Sequence, residues 1–384
     1  MRLSAVILLL LLNAPLLAQT PIIDSLIQVL DTARNERKVK TYNELFRAYL
    51  PSDPVKAMEY VREALTLATS IDDKRGTAAA YNNMGVAYRN QGALDKALGN
   101  YINSLKMYET LENKEGIATT KNNISNIYAI KGDYAQALKY LEEAHTIFTE
   151  LGDQHKLVGT LNNLGNLNNE LQLFDKALKY FSDSYAMSER LGEPFADPLN
   201  NTGNVYFKQN NYQQAIEHYR KALAIEEKNN DLLGTLNSLS NIGIAYTRAG
   251  QPQPALQYLS QARALATELK ANSELPEILK NSSYNYFHQG KLKEAYDLFL
   301  KYDSTREITY GEESSRRIAQ MEMVLELSDK EREYEALKKE AEVKSLQLRN
   351  SRLFIVMIIL SFLLIVGAVN YFLMDKLKEF FRKQ

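Results

Sequence analysis

Along the middle of the chain, apolar residues recur at helical spacing in blocks with a nearly constant period. Aligned on the alanine of stretches such as "LDKAL", "YAQAL" and "FDKAL", the blocks centre on Ala57, Ala97, Ala137, Ala177, Ala215, Ala255 and Ala295, separated by 40, 40, 40, 38, 40 and 40 residues. Four positions after each alanine stands a bulky residue (Val61, Tyr101, Leu141, Phe181, Tyr219, Leu259, Phe299). Seven after it stands a small one (Ala64, Ser104, Ala144, Ser184, Ala222, Ala262), with Tyr302 the exception. These positions share one helix face, which predicts an amphipathic second helix in every block.

Twelve residues before the alanine comes Gly85, Ser125, Gly165, Gly203, Gly243 or Ser283, and nine before it Tyr88, Tyr128, Tyr206, Tyr246 or Tyr286. They predict a first helix on which the small residue admits a partner and the tyrosine fills the space beside it. Gly92, Gly132, Gly250 and Gly290 fall between the two halves, where a left-handed residue ends a helix. Each block is then a helical hairpin whose apolar face needs a neighbour. Seven of them, over residues 38–310, predict an all-α, right-handed superhelix with a continuous core.

The spacing of Gly85, Tyr88, Ala97, Tyr101 and Ser104 resembles the tetratricopeptide repeat. The period of 40 departs from the commoner ~34 and implies longer helices or turns. The copy on Ala177 also has Asn168 in place of the tyrosine and Gln172 in place of the turn glycine, which predicts a looser or differently angled hairpin. The resemblance implies a concave groove that binds an extended peptide or a protein partner.

Fourteen residues before the alanine, all seven copies carry asparagine: Asn43, Asn83, Asn123, Asn163, Asn201, Asn241 and Asn281. Inside a helix asparagine costs about 0.5 kcal/mol relative to alanine, so its recurrence calls for a compensating role. Two readings stay open. The amides line the groove as a ladder of ligand contacts, which the resemblance favours, or each bonds the neighbouring first helix and sets the superhelical pitch. On the same stripe lie Asn126, Asn166 and Asn204, then Lys208 and Arg248, which predict an amide-rich middle and a mildly basic later part. Such a surface suits a polar extended chain with an acidic group toward the C-terminal repeats, or a glycan.

Both ends carry membrane grammar. Arg2, the apolar run 5–12 and the small residues Ala14 and Ala18 predict a signal peptide over residues 1–18. "IIDSLIQVL" within 19–37 predicts an N-terminal capping helix. Residues 353–373 contain no charged side chain and as a helix would span about 31 Å, enough to cross a bilayer. The predicted topology is a single-pass inner-membrane protein with the array periplasmic and the tail 374–384, with Lys376, Lys378, Arg382 and Lys383, cytoplasmic. Between array and span, residues 311–352 predict a helical stalk. Ile318, Met321 and Leu325, then Tyr334, Leu337, Ala341 and Leu348, suggest coiled-coil seams and a homodimer; a solvated single helix is the alternative.

Composition removes other function classes. Lys and Arg (46) balance Asp and Glu (47), so there is no global basic field for nucleic acid. Without cysteine, disulfides, thiolate nucleophiles and common zinc sites drop out. His145, His155, His218 and His288 show no ligand spacing, and no phosphate loop or hydrolase elbow occurs. The sequence therefore reads as a non-enzyme without cofactor or metal. The order of leader, array, stalk, span and tail resembles the input half of bacterial membrane-bound sensors, which implies a cytoplasmic or membrane signalling partner. The alternative is a membrane-tethered scaffold for envelope protein assembly or secretion.

Overall fold

The computed structural model describes the backbone of residues 14–382, and the side chains of 21–311, 336, 339–340, 343–358, 360–361, 365–367 and 373–374. Residues 1–13 of the expected signal peptide lie outside the described residues, as do the seam side chains of Ile318, Met321, Leu325, Tyr334, Leu337 and Ala341 and the four basic side chains of the tail.

Fifteen helices follow one another among the described residues. Helix α1 is Ala14–Thr32. The hairpins are α2 Asn35–Tyr49 with α3 Pro54–Ser70, α4 Lys74–Asn90 with α5 Leu94–Thr110, α6 Lys114–Ile130 with α7 Tyr134–Leu151, and α8 Gln154–Glu170 with α9 Phe174–Arg190. They continue with α10 Asp197–Lys208 and α11 Tyr212–Lys228, α12 Leu232–Arg248 and α13 Pro252–Glu268, and α14 Leu275–His288 with the start of α15 Leu292–Arg382. The chain divides into two compact units, residues 1–321 and 322–384.

In the first unit each helix packs on the one before and the one after it, as a solenoid requires. First helices also touch neighbouring first helices, as α2 does α4, α8 does α10 and α12 does α14. The layer of first helices is thus the more closely spaced one and forms the concave wall.

The interior of each hairpin is a small residue meeting a large one. A Cβ on Gly85 would stand 2.5 Å from Cε1 of the Tyr101 ring, and Gly165, Gly203 and Gly243 are filled in the same way by Phe181, Tyr219 and Leu259. The small residue therefore admits its partner helix, as the spacing had implied, by accepting that helix's bulky side chain. Where serine replaces glycine its hydroxyl donates to the partner backbone: Ser125 to the Ala137 carbonyl and Ser283 to the Ala295 carbonyl, both at 2.7 Å. Ser104 and Ser184 bond the opposite way, to the carbonyls of Ala78 and Val158.

The hairpin turns follow the expected chemistry. Gly92, Gly132, Gly250 and Gly290 have φ from 69° to 78°. Gln172 and Asn210, which stand where two other copies lack the glycine, take the same left-handed turn with φ 60° and 61°, a conformation that is uncommon for a non-glycine residue. Asp73, Asn113, Asp133, Asp153, Asn211 and Asp231 each accept a backbone N–H three residues on, capping the following helix.

The seventh hairpin ends differently. The bulky position is 0–2% exposed in the first six copies but 51% exposed at Phe299, because no further hairpin covers it. In the second unit, residues 322–382 belong to α15, where Lys344 pairs with Glu340 at 3.0 Å. Among the described residues no helix is long and apolar enough to cross a membrane. Of the segment read as a span, the side chains at 359, 362–364 and 368–372 lie outside them.

Candidate functional site

The asparagines occupy the concave wall because they stand on first helices, yet they are not equivalent. Asn43 and Asn83 are buried, 4% and 3% exposed, and Asn83 Nδ2 donates to Asn43 Oδ1 at 2.7 Å. In the next three copies the acceptor is the asparagine one position earlier in the preceding repeat. Asn123 donates to Asn82 (2.9 Å), Asn163 to Asn122 (3.4 Å) and Asn201 to Asn162 (3.0 Å). The ladder is therefore built from doublets, "NN" at 82–83, 122–123, 162–163 and 200–201. The doublet is visible in the sequence, but only the alignment of neighbouring helices shows that its two members serve different rungs.

After Asn201 the ladder breaks. Asn200 should accept from Asn241; instead it donates to Glu226 Oε1 at 2.8 Å and accepts from Ser238 Oγ at 3.0 Å. Asn281 turns back to its own helix, donating to the Glu277 carbonyl and carboxylate.

A concave cavity of about 520 Å³ opens at this break. It brings together five of the sequence-derived candidates, Asn163, Asn166, Asn201, Asn204 and Asn241, with Asn162, Asn200, Asn237, Ser240, Asp197 and Glu274. Asn204 is oriented by the Tyr219 hydroxyl, which donates to its Oδ1 at 2.7 Å; burial raises the Tyr219 hydroxyl above the usual range and keeps it protonated. Asn43, Asn83, Asn123, Asn126 and Asn281 do not line the cavity, nor do Lys208 and Arg248.

The basic side chains expected on the later part of the stripe do not line this cavity. Lys208 is matched by Glu170 across the repeat at 3.2 Å, and the only charged side chains of the cavity are Asp197 and Glu274. Both sit at the N-terminal ends of the two first helices that start late, α10 and α14, of 12 and 14 residues, each with a proline in its first turn. There the sequence leaves the repeat pattern, so alignment of the copies gave no means of finding these acids.

Behind this wall Glu226 is 3% exposed, with Oε2 lacking a hydrogen-bond partner. Burial holds its carboxyl above the ordinary 4.5; hydrogen bonds from Ser238 and Asn200 oppose that, and the charges of Asp231 and Asp197 add to it. Asp197 is raised as well, by desolvation within the groove and then by Asp231. A carboxyl that binds its proton more tightly in the folded chain contributes stability below its unfolded pKa, and that contribution is lost as pH rises through the folded value. Glu226→Gln is therefore expected to raise the melting temperature at pH 8 and to give no gain near pH 4, read by circular dichroism at the two pH values.

Among the described residues, no group of three or more histidine or carboxylate side chains is placed to hold a metal ion.

Comparison with known proteins follows the same architecture. The tetratricopeptide repeat family matches residues 116–190 and 195–268, and the soluble NSF attachment protein family matches residues 28–147. A curated relative, the intraflagellar transport protein 88 homolog of Homo sapiens, is 36% identical over 75 residues; the match covers 20% of this chain and 9% of that protein.

Solved structures with the same fold include the apo form of RapI (TM-score 0.56, 16% identity, 70% of this chain and 98% of that one). A signal transduction ATPase with a tetratricopeptide repeat sensor, from Pyrococcus horikoshii, aligns with TM-score 0.58 and 14% identity over 76% of this chain and 47% of that one. A Rap protein complexed with competence and sporulation factor aligns with TM-score 0.51 and 13% identity over 77% and 98%.

Proposed function

Because the chain is a solenoid of tetratricopeptide repeats, we propose that it is a membrane-tethered receptor that holds an extended peptide, or an extended segment of a protein, along its concave face. The observation that carries the reading is the break in the ladder, which opens the 520 Å³ cavity where asparagines stop bonding one another. Carboxamides both donate and accept, so a row of them matches the repeating N–H and C=O groups of a peptide backbone. The structural neighbour solved with competence and sporulation factor is consistent with that use of the fold.

The proposed tether is the charge-free run 353–373; Leu353, Phe354, Ile355 and Met357 stand exposed, as side chains facing lipid would. A leader over residues 1–18 places the array outside the inner membrane and residues 374–384 inside. In that arrangement the array is the input part of a signalling system whose output lies on a partner reached through the span and tail.

A photo-crosslinking amino acid at Asn237 on the cavity wall, with Lys106 on a second helix as the control, tests the receptor in native membranes. Peptide or protein adducts at Asn237 that are absent at Lys106 are expected; equal labelling at both positions would refute groove binding. Carbonate-resistant sedimentation of the full chain tests the tether, and extraction into the supernatant would refute it.

A further inference from the structure

The cavity has an imbalance that repeat chemistry does not require. Eight of its eleven lining residues are asparagine, two are carboxylates and none is Lys, Arg or His. The Asp197 carboxylate has no hydrogen-bond or ion-pair partner among the described residues, and the one hydrogen bond to the Glu274 carboxylate there is a long 3.4 Å bond from its neighbour Ser273. On the array's surface other acids have a basic partner across the repeat: Asp95 has Lys131, Glu150 has Lys114 and Glu170 has Lys208, at 2.8 to 3.2 Å. The two unanswered carboxylates lie on one edge of the groove, at the starts of α10 and α14. Glu226, one hydrogen bond behind Asn200, adds a third to the same region.

We propose that the cavity selects a positively charged guest: an extended peptide whose lysine or arginine side chain reaches Asp197 and Glu274 while the asparagines hold its backbone. This rests on the reading of the concave face as a peptide receptor and adds the charge of the residue it reads. A guanidinium or ammonium supplies only donors, which suits the carboxylates, and it balances charge that the wall leaves uncompensated. A guest with an acidic side chain at this edge meets like charge and is excluded.

The test is fluorescence anisotropy with the full chain in detergent and four labelled heptapeptide pools, randomised except for a central Arg, Lys, Gln or Glu. The Arg and Lys pools are expected to bind about tenfold more tightly than the Gln pool, and the Glu pool more weakly still. The pair Asp197→Asn and Glu274→Gln removes this preference and leaves the affinity of the Gln pool in place, with the helical circular dichroism signal unchanged.

Equal binding of the Arg, Gln and Glu pools, or a preference that survives in the double variant, overturns the charge assignment. The receptor itself is judged separately by Asn163→Ala with Asn241→Ala, which is expected to weaken every pool alike. If no pool binds, or if unlabelled spermidine alone competes for the site, the peptide reading falls and takes the proposal with it.

Discussion

Replacing Gly159 by alanine raises the stability of the array, whereas replacing Gly165, six residues on in the same helix, lowers it. Both glycines lie inside α8, where alanine is favoured by about 1 kcal/mol on backbone grounds. At Gly159 nothing stands within 4 Å of an added Cβ, so that gain is realised in full. At Gly165 the new carbon falls within 2.5 Å of Cδ1 of Phe181, a ring that is fully buried and has no free direction in which to move. Overpacking of this kind costs about 1–3 kcal/mol and outweighs the helical gain. Leucine at 165 cannot be seated at all and is expected to unfold at least its own hairpin. Urea titrations followed by circular dichroism measure both variants. Gly99→Ala, also in open space, repeats the stabilising arm, and the same sign at 159 and 165 would contradict the packing described for the hairpin interior.

The second large effect is expected at the first rung of the asparagine ladder. Asn43→Ala leaves Asn83 Nδ2 without the acceptor it has at 2.7 Å, in a place only 3% exposed. An orphaned buried donor costs about 1–3 kcal/mol, well above the ~0.5 kcal/mol that alanine returns through helix propensity. Removing the second amide as well relieves the orphan, so the double variant Asn43→Ala, Asn83→Ala should be no less stable than Asn43→Ala alone. The coupling from this cycle is expected to exceed about 1 kcal/mol.

The same cycle on Asn122 and Asn163, partly exposed and joined by a 3.4 Å contact, should give less than about 0.5 kcal/mol. Equal coupling at the two rungs would make the ladder uniform and remove the basis for separating its buried beginning from its open middle.

That division shows how far a repeat pattern carries. The recurrence of Gly85, Tyr101 and Ser104 at fixed offsets was enough to place two helices per copy and the apolar face between them, because close packing of a small residue on a large one leaves a strict local signature. The turn at Gln172 could not be read from the residue type, since a left-handed conformation is uncommon for glutamine but is still adopted there. The role of the asparagines was only half legible: Asn163 and Asn122 lie 41 positions apart, and nothing in one repeat states which neighbour in the next will receive its amide.

Asp197 and Glu274 escaped because alignment finds what recurs, and each occurs where a proline-containing start interrupts the copies. A site that depends on departures from a repeat is invisible to a search for its regularities.

The spacing of the elements carries one more consequence. Helices such as Lys74–Asn90, Leu94–Thr110 and Lys114–Ile130 are each 17 residues long, so turns of three residues join them and the period of 40 is used up with no slack. Such joints are too short to act as hinges. Across these joints a guest cannot close one hairpin onto another as a jaw closes; the slack lies in the six-residue joints 191–196 and 269–274 that precede α10 and α14. Between those two joints the hairpins respond as a torsion spring, by small rotations shared along the coil, and any larger displacement falls at the joints that flank the cavity.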